Sequence, residues 1–180
     1  LYRYDQNSGE LQVFENEPEN PTSISSNLIQ QLYEDSEGNL WISTENGLNL
    51  LKAENKQEGG FERFMYEEND TTSIPSNVVR QVYEDSNNNM WVATQDGLAK
   101  YSREKDRFEI FGESDGLPVS DVRSIIECLN NKLWIGTSKG ISKFNPATET
   151  FRNYDKSDGL QGNEFSRHTV HKLSSGELLF

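Results

Sequence analysis

Residues 39–48 read NLWISTENGL, and this stretch decides the fold because the chain contains three versions of it. The other two are NMWVATQDGL at residues 89–98 and KLWIGTSKGI at residues 132–141. Each version has a glutamate seven positions before its tryptophan. Because several positions keep the same register in all three versions, the chain is built from a repeat of about 40 to 50 residues.

The first repeat contains four short apolar segments that predict β-strands. We expect these strands at residues 28–34, 40–44, 48–51 and 61–66. Asn46 with the glycine that follows it is a strong hairpin signal between the second and third strands. No apolar pattern with the 3.6-residue period of a helix runs for more than a turn. Four strands in a repeat of this length are typical of a propeller blade, so we predict an all-β β-propeller with four-stranded antiparallel blades.

The repeat boundaries divide residues 1–180 into a partial β-propeller. We predict blades at approximately residues 1–16 (partial), 27–66, 77–111, 120–154 and 163–180 (partial). Three complete and two half blades make about four blades' worth of a larger ring, for which we expect about seven blades. Since the chain starts without methionine and stops within an apolar run, we expect a segment of a longer protein. An open half-ring leaves strand edges unpaired, so we also expect two copies to associate.

The composition narrows the possible partners. Thirty acidic residues against 17 basic ones give a formal net charge of −13, which argues against nucleic acid and against direct contact with an anionic membrane. Cys128 is the single cysteine, so an internal disulfide and a cysteine-based zinc site are excluded. Hydrophobic residues make up only 33% of the chain, yet 11% of its residues are aromatic. We therefore expect the repeated tryptophans in a core between blades and not on a sugar-stacking surface.

The residue pattern shared by the repeats resembles that of a known family. The shared pattern is Glu-Asp, three variable residues, Asn-Leu-Trp-Ile, a threonine and Gly-Leu, followed by an aromatic residue and a Pro-Ser-Asn linker. This pattern is similar to the two-component regulator propeller repeat. Residues 157–166, SDGLQGNEFS, are similar to the final blade of such domains. Cys128 replaces the usual acidic residue, and Leu179 stands near the place of the expected tryptophan, so both depart from the pattern.

The resemblance implies a sensor and not an enzyme. In this family the propellers form the extracytoplasmic, periplasmic part of hybrid histidine kinases or of diguanylate cyclases, which make cyclic-di-GMP. Tandem rings there precede a β-sandwich, a membrane helix and a cytoplasmic output domain. The resemblance implies a small-molecule or oligosaccharide ligand, in particular a carbohydrate fragment, and no cofactor. The expected protein partners are the rest of the propeller, the adjoining β-sandwich and a second copy in a homodimer.

Polar side chains near the start of the innermost strands form the candidate ligand site. The innermost strands of a propeller line its channel, and the loops that lead into them form one rim. Amide and guanidinium groups on this rim suit ligands that are rich in hydroxyl or carboxylate groups. The candidates, in pairs from successive blades, are Asn27 and Gln30, Asn77 and Arg80, Ser120 and Arg123, and Asn163 and Arg167.

A structural role for these residues competes with ligand binding. Asn27 and Asn77 are suited to cap the turn that leads into the innermost strand. Each strand arginine is expected to pair with the glutamate near the end of its own strand, Glu84 or Glu127. Capping and pairing of this kind are the preferred interpretation.

Two other features suggest different chemistry. Residues 85–89 resemble the start of a calcium loop, but they lack the central glycine and the final glutamate, so a hairpin turn is the preferred interpretation. His168 and His171 are the only histidines, and with nearby carboxylates they would serve a propeller lyase or glycosidase. An offset of three residues places them on opposite faces of a strand, which disfavours catalysis. A protein-interaction scaffold is the third possibility.

Overall fold

The computed structural model describes residues 1–167 and 170–180, and within them all regular structure is β-strand apart from three single 3₁₀ turns. The strands are β1 (Tyr2–Tyr4), β2 (Leu11–Val13), β3 (Ile29–Glu34), β4 (Leu40–Thr44), β5 (Gly47–Leu51), β6 (Glu62–Phe64), β7 (Val79–Glu84), β8 (Met90–Thr94), β9 (Gly97–Ser102), β10 (Arg107–Phe111), β11 (Val122–Cys128), β12 (Lys132–Thr137), β13 (Gly140–Asn145), β14 (Thr150–Tyr154), β15 (His171–Lys172) and β16 (Leu178–Leu179). The 3₁₀ turns are Ala53–Asn55, Glu113–Asp115 and Lys156–Asp158. No helical segment in the described ranges is long and apolar enough to cross a membrane.

Twelve of these strands form three antiparallel sheets in which chain neighbours are also hydrogen-bonded neighbours. The first blade is β3–β6, the second is β7–β10 and the third is β11–β14. Two-stranded sheets, β1–β2 and β15–β16, flank them. The predicted all-β propeller with four-stranded antiparallel blades is therefore confirmed. The expected total of seven blades stays a prediction.

The predicted strands of the first blade agree with the structure, with small differences at their ends. The segment predicted at 61–66 pairs only over Glu62–Phe64. The predicted hairpin lies at Gly47, whose φ of 102° is left-handed. The Thr44 hydroxyl closes this turn by donating to the Gly47 carbonyl at 2.7 Å. The same threonine-to-glycine bond recurs between Thr94 and Gly97 and between Thr137 and Gly140.

The tryptophans of the first two blades lie in the core between blades, as predicted. Trp41 and Trp91 are almost completely buried. The Trp41 ring stacks on Phe64 of its own blade at 5.9 Å and meets Tyr101 of the second blade edge-on at 5.3 Å. Such aromatic contacts add to the stabilisation that burial provides. The core thus joins one blade to the next.

A buried aspartate fixes each of these tryptophans to the turn between the first and second strands. The Asp85 carboxylate accepts hydrogen bonds from the Trp91 indole N–H at 2.8 Å and from the amides of Asn87 and Asn89, both at 2.9 Å. Asp35 does the same for Trp41 in the first blade. Because the Asp85 oxygens are engaged by protein donors, the structure supports the hairpin-turn interpretation of residues 85–89.

The third blade lacks this carboxylate because Cys128 stands in its place. Trp134 is only half-buried, and it stacks on Tyr154 at 5.5 Å and lies 6.3 Å from Phe180. The expectation of a buried tryptophan is therefore met only in part at this position. The difference follows from the missing acceptor and from the small sheet, β15–β16, that lies on this side.

Two further bonds recur between neighbouring blades. The Glu84 carboxylate accepts from the backbone amide and the hydroxyl of Ser36, at 2.7 and 2.9 Å, and Glu127 holds Ser86 in the same way. The Gln31 side chain accepts from the Val82 amide at 2.6 Å. Gln81 repeats this bond with the amide of Ile125. These bonds fix the orientation of each blade relative to the next.

We expect Asp85→Ala to lower the free energy of unfolding by about 3 kcal/mol, because the buried indole N–H of Trp91 and the turn amides lose their acceptor. Urea denaturation followed by tryptophan fluorescence measures the change. Asp96→Ala is the control, since Asp96 is exposed at the opposite turn, and it should change the free energy by less than about 0.5 kcal/mol. Equal losses in the two variants would contradict the role of Asp85.

Candidate functional site

The innermost strands β3, β7 and β11 lie side by side, and each has a bulge at the same position. The pairing register shifts between Ile29 and Gln31, and the corresponding shifts lie in the next two blades. A bulge turns a side chain away from the regular alternation of a strand. The bulged residues are Gln30, Arg80 and Arg123, which are three of the residues predicted from the sequence.

The two bulged arginines share one carboxylate. Arg80 Nη2 lies 2.6 Å from Asp121 Oδ1, and Arg123 Nε lies 2.9 Å from Asp121 Oδ2. Arg123 also donates to the Phe165 carbonyl at 2.7 Å and to Glu164 at 3.1 Å. The second and third blades and the segment after β14 therefore meet at this point.

A second group of contacts connects that segment to the first blade. The Gln30 amide donates to the Glu45 carboxylate, and Arg167 Nη1 lies 3.7 Å from the same carboxylate. We call the whole constellation the channel mouth. Its members are Gln30, Glu45, Arg80, Asp121, Arg123, Glu164 and Arg167.

Arg80 is the unusual member of the channel mouth. It is 3% exposed, and among the described residues its Nε and Nη1 atoms have no hydrogen-bond partner. Burial lowers the pKa of the Arg80 guanidinium, and the positive charges of Arg167 and Arg123 lower it further, although Asp121 acts in the opposite direction. A buried donor without a partner destabilises the protein, so the site holds unused hydrogen-bonding capacity.

The surroundings of Asp121 and Arg123 favour the charged form of each group, in contrast to those of Arg80. Burial alone raises the pKa of Asp121, but the hydrogen bond from Arg123 and the charge of Arg80 outweigh it and hold that pKa below its usual value of 3.8. Burial lowers the pKa of Arg123, and hydrogen bonds to Asp121 and Glu164 outweigh it and raise that pKa. Both groups are therefore stabilised in their charged forms.

The other predicted residues bind loops at the same rim. The Asn27 side chain accepts from the Asn16 amide at 2.8 Å, and the side chains of Asn77 and Asn163 accept from the Tyr66 and Lys156 amides, both at 2.7 Å. The hydroxyl and amide of Ser120 both donate to Glu113 at 3.1 Å. All four residues thus hold the linker from the preceding blade, which agrees with the structural alternative. Their role in ligand binding stays a prediction.

The predicted pairing of the strand arginines is wrong. Arg80 does not pair with Glu84, nor Arg123 with Glu127, because positions four apart on a strand are separated by about 13 Å. Glu84 instead contacts Ser36 and Arg103. The true partners come from the loops.

Sequence reasoning missed the three carboxylates of the channel mouth. In an up-and-down blade the hairpin between the second and third strands lies at the same end as the linker into the first strand. From this topology Glu45, on the hairpin, could have been placed at the same end of the propeller as Asp121, on the linker. Glu164 lies on the next linker.

The histidines do not form a described site. His168 lies outside the described residues, and His171 is exposed at the start of β15. Within residues 1–167 and 170–180, no group of three or more histidine, cysteine, aspartate or glutamate side chains is placed to hold a metal ion.

The two-component regulator propeller model matches residues 23–46 and 73–96. These ranges include the inner strands and the tryptophans of the first two blades. These two segments therefore match the two-component regulator propeller repeat that the sequence resemblance indicated. No match was found among the curated proteins.

Solved structures of propeller proteins share the fold at low sequence identity. The extracellular domain assigned to the hybrid two-component system BT3049 from B. thetaiotaomicron is 23% identical with a TM-score of 0.78, over 99% of this chain and 26% of that one. Virginiamycin B lyase from Staphylococcus aureus is 12% identical with a TM-score of 0.67, over 98% and 54%. PorZ, a surface component of the type-IX secretion system of Porphyromonas gingivalis, is 15% identical with a TM-score of 0.64, over 99% and 28%. The chain thus spans about a quarter of the first of these structures.

We expect Asp121→Asn to lower the free energy of unfolding by about 2 kcal/mol at pH 7, since it leaves two arginines without their shared anion. A depressed folded-state pKa contributes stability above the ordinary value of 3.8, and this contribution is lost as the pH falls through that value towards the folded-state pKa. The variant should therefore lose less stability than the original chain between pH 6 and pH 3. Urea titrations across this range test the expectation.

Asp96→Asn serves as the control because Asp96 is exposed and takes part in none of the ion pairs of the channel mouth. Its pH profile should coincide with that of the original chain. If Asp121→Asn followed the same profile as the control, the two-arginine contact would have no energetic role.

Proposed function

We propose that the chain is a ligand-sensing module in the extracytoplasmic, periplasmic region of a bacterial signalling receptor, either a hybrid histidine kinase of a two-component system or a cyclic-di-GMP receptor. The observation that carries the proposal is the channel mouth. Gln30, Arg80 and Arg123 stand at bulges of one repeated position and belong to this constellation, in a chain with two segments that match the two-component regulator propeller model.

The family match and the shared fold support the signalling part of the proposal. The family model that matches two segments describes two-component regulator propellers, and one similar structure is described as the extracellular domain of a hybrid two-component system. Because the chain spans about a quarter of that structure, the output domain and the activity of the whole protein belong to the proposal.

The chemistry of the channel mouth supports a carbohydrate fragment as the ligand. Guanidinium, amide and carboxylate groups alternate there, so donors and acceptors for sugar hydroxyls lie close together. Glu164 is 75% exposed and Arg167 is 48% exposed, so solvent reaches the outer part of the site. A hydroxyl-rich ligand can exchange hydrogen bonds with these groups without burying an unpaired charge.

The site also suggests how binding is transmitted. Glu45 belongs to the first blade, Arg80 to the second, Arg123 to the third and Arg167 to the segment after it. A ligand that contacts all four changes the packing between blades. It favours one arrangement of the propeller only through its different affinity for the two arrangements. The rest of the propeller, an adjoining β-sandwich and a second receptor copy are the proposed recipients of that change.

We propose a non-enzymatic role. The similarity to virginiamycin B lyase is a similarity of fold at 12% identity, and His171 lies exposed on a short edge strand. A lyase or glycosidase would need a constellation of acid and base groups around a bound substrate. The protein-interaction scaffold makes no use of the guanidinium groups in the channel mouth.

The test is calorimetric titration of the purified chain with a panel of neutral and acidic oligosaccharides. We expect at least one oligosaccharide to bind, and Gln30→Ala to weaken its binding at least about threefold, because one charge-assisted hydrogen-bond network is lost. Mass spectrometry of the mixtures should detect no altered oligosaccharide.

Gln57→Ala is the matched control, since Gln57 is exposed on the loop between β5 and β6, at the other end of the blade. It should leave the affinity unchanged within experimental error. Binding by none of the panel would overturn the carbohydrate proposal, equal effects of the two variants would move the site elsewhere, and turnover would favour the lyase or glycosidase.

A further inference from the structure

The channel mouth brings three arginines and three carboxylates together in an otherwise acidic chain. Arg80, Arg123 and Arg167 come from three successive units and approach one another closely enough to lower the pKa of Arg80. The chain as a whole carries a net charge of −13. A buried guanidinium is costly unless its N–H groups have acceptors, so the question is which of these donors the three carboxylates leave unpaired.

The carboxylates nearby are already divided among other partners. Asp121 is shared between Arg80 and Arg123, and Glu164 pairs with Arg123. Glu45 accepts from Gln30 and lies 3.7 Å from Arg167. Arg80 therefore shares its one carboxylate with Arg123, and the positive charges of Arg123 and Arg167 act on it as well.

Arg80 itself shows where an additional anion fits. Its side chain is 4% exposed, and two of its nitrogen atoms, Nε and Nη1, have no partner among the described residues. A guanidinium presents its N–H groups in a planar fork that matches the two oxygens of a carboxylate or sulfate. The bulge on β7 holds this fork at the inner face of the ring, beside Arg123.

We propose that the channel mouth recognises an anionic group, a carboxylate or a sulfate, on the sugar ligand, and that Arg80 binds it together with Arg167. This inference rests on the proposed function and names the chemical class of its ligand. The anion accepts hydrogen bonds from the free donors of Arg80.

Arg167 is the exposed arginine of the proposed anion site. Its contact with Glu45 is long, at 3.7 Å, and both side chains are substantially exposed, at 48% and 32%. An exposed ion pair of this kind contributes little to stability, so an incoming anion can displace Glu45 from Arg167. Arg167 then turns from Glu45 to the ligand.

Three matched monosaccharides test the proposal: galactose and the sodium salts of galacturonic acid and galactose 6-sulfate, all at equal ionic strength. The readout is the ¹⁵N-detected side-chain Nε–H signal of Arg80, assigned by its absence in Arg80→Gln. We expect at least one charged sugar to shift this signal in a saturable manner, while galactose at the same concentration leaves it in place. No shift with either charged sugar, or an equal shift with galactose, would overturn the proposal.

Substitutions add an independent measurement with the charged sugar that binds. Arg80→Gln should weaken its affinity at least about tenfold, and Arg167→Gln at least about threefold, through the lost charge-assisted hydrogen bonds. Arg107→Gln is the control, because Arg107 is exposed on the outer strand β10 and carries the same charge. Since Arg167 is exposed, its variant keeps the test decisive even if Arg80→Gln fails to fold. Equal affinities for Arg167→Gln and Arg107→Gln would count against the site.

Failure of this proposal can be told apart from failure of the sensor proposal. A neutral oligosaccharide that binds, depends on Gln30 and leaves Arg80 unaffected by charged sugars supports the sensor and refutes the anion site. Saturable shifts of Arg80 by a charged monosaccharide, without binding of any oligosaccharide, support the anion site and refute the oligosaccharide ligand.

Discussion

A propeller blade has apolar side chains on both faces of its sheet, and it is stable only when neighbouring blades cover them. In this chain a hydrogen bond between a buried aspartate and a tryptophan indole recurs in the first two blades and holds the tryptophan in the interface between blades. Asp35 and Asp85 accept the indole N–H and also the amides of the nearby turn, so the tryptophan lies in the interface with its polar atom satisfied. Turn, ring and blade interface are thereby fixed together. Where Cys128 removes the carboxylate, Trp134 is less buried.

The two ends of the channel differ because of how the blades are held. At one end, Glu84 and Glu127 bind the preceding blade's turn through both a backbone amide and a hydroxyl. At the other end, the bulged residues of the innermost strands meet long charged side chains from loops. The bonds at the first end run from a carboxylate to the amide and hydroxyl of a turn, while those at the second end join charged side chains of different blades. The charged side chains at the second end are the reason for proposing the ligand site at the channel mouth.

Much of the fold could be predicted because it depends on local and repeated features. The strands of the first blade, the hairpin at Gly47 and the burial of Trp41 follow from alternation, turn chemistry and repetition. The candidate site was predicted less well. Gln30 and Arg80 were identified as residues of the innermost strands, but the bulge that turns them inward has no signal in the sequence. The distance along a strand also made the expected pairing of Arg80 with Glu84 impossible.

The sequence by itself determined the repeat and the number of strands in a blade, because periodicity and turn residues act over a few positions. The tertiary structure decided which charges meet. Arg80 and its partner Asp121 are 41 positions apart, and they come together only because successive blades place equivalent loops side by side around one axis. The unused donors of Arg80 arise from the same cause: three units each bring a guanidinium to one point, and the carboxylates that accompany them are already shared.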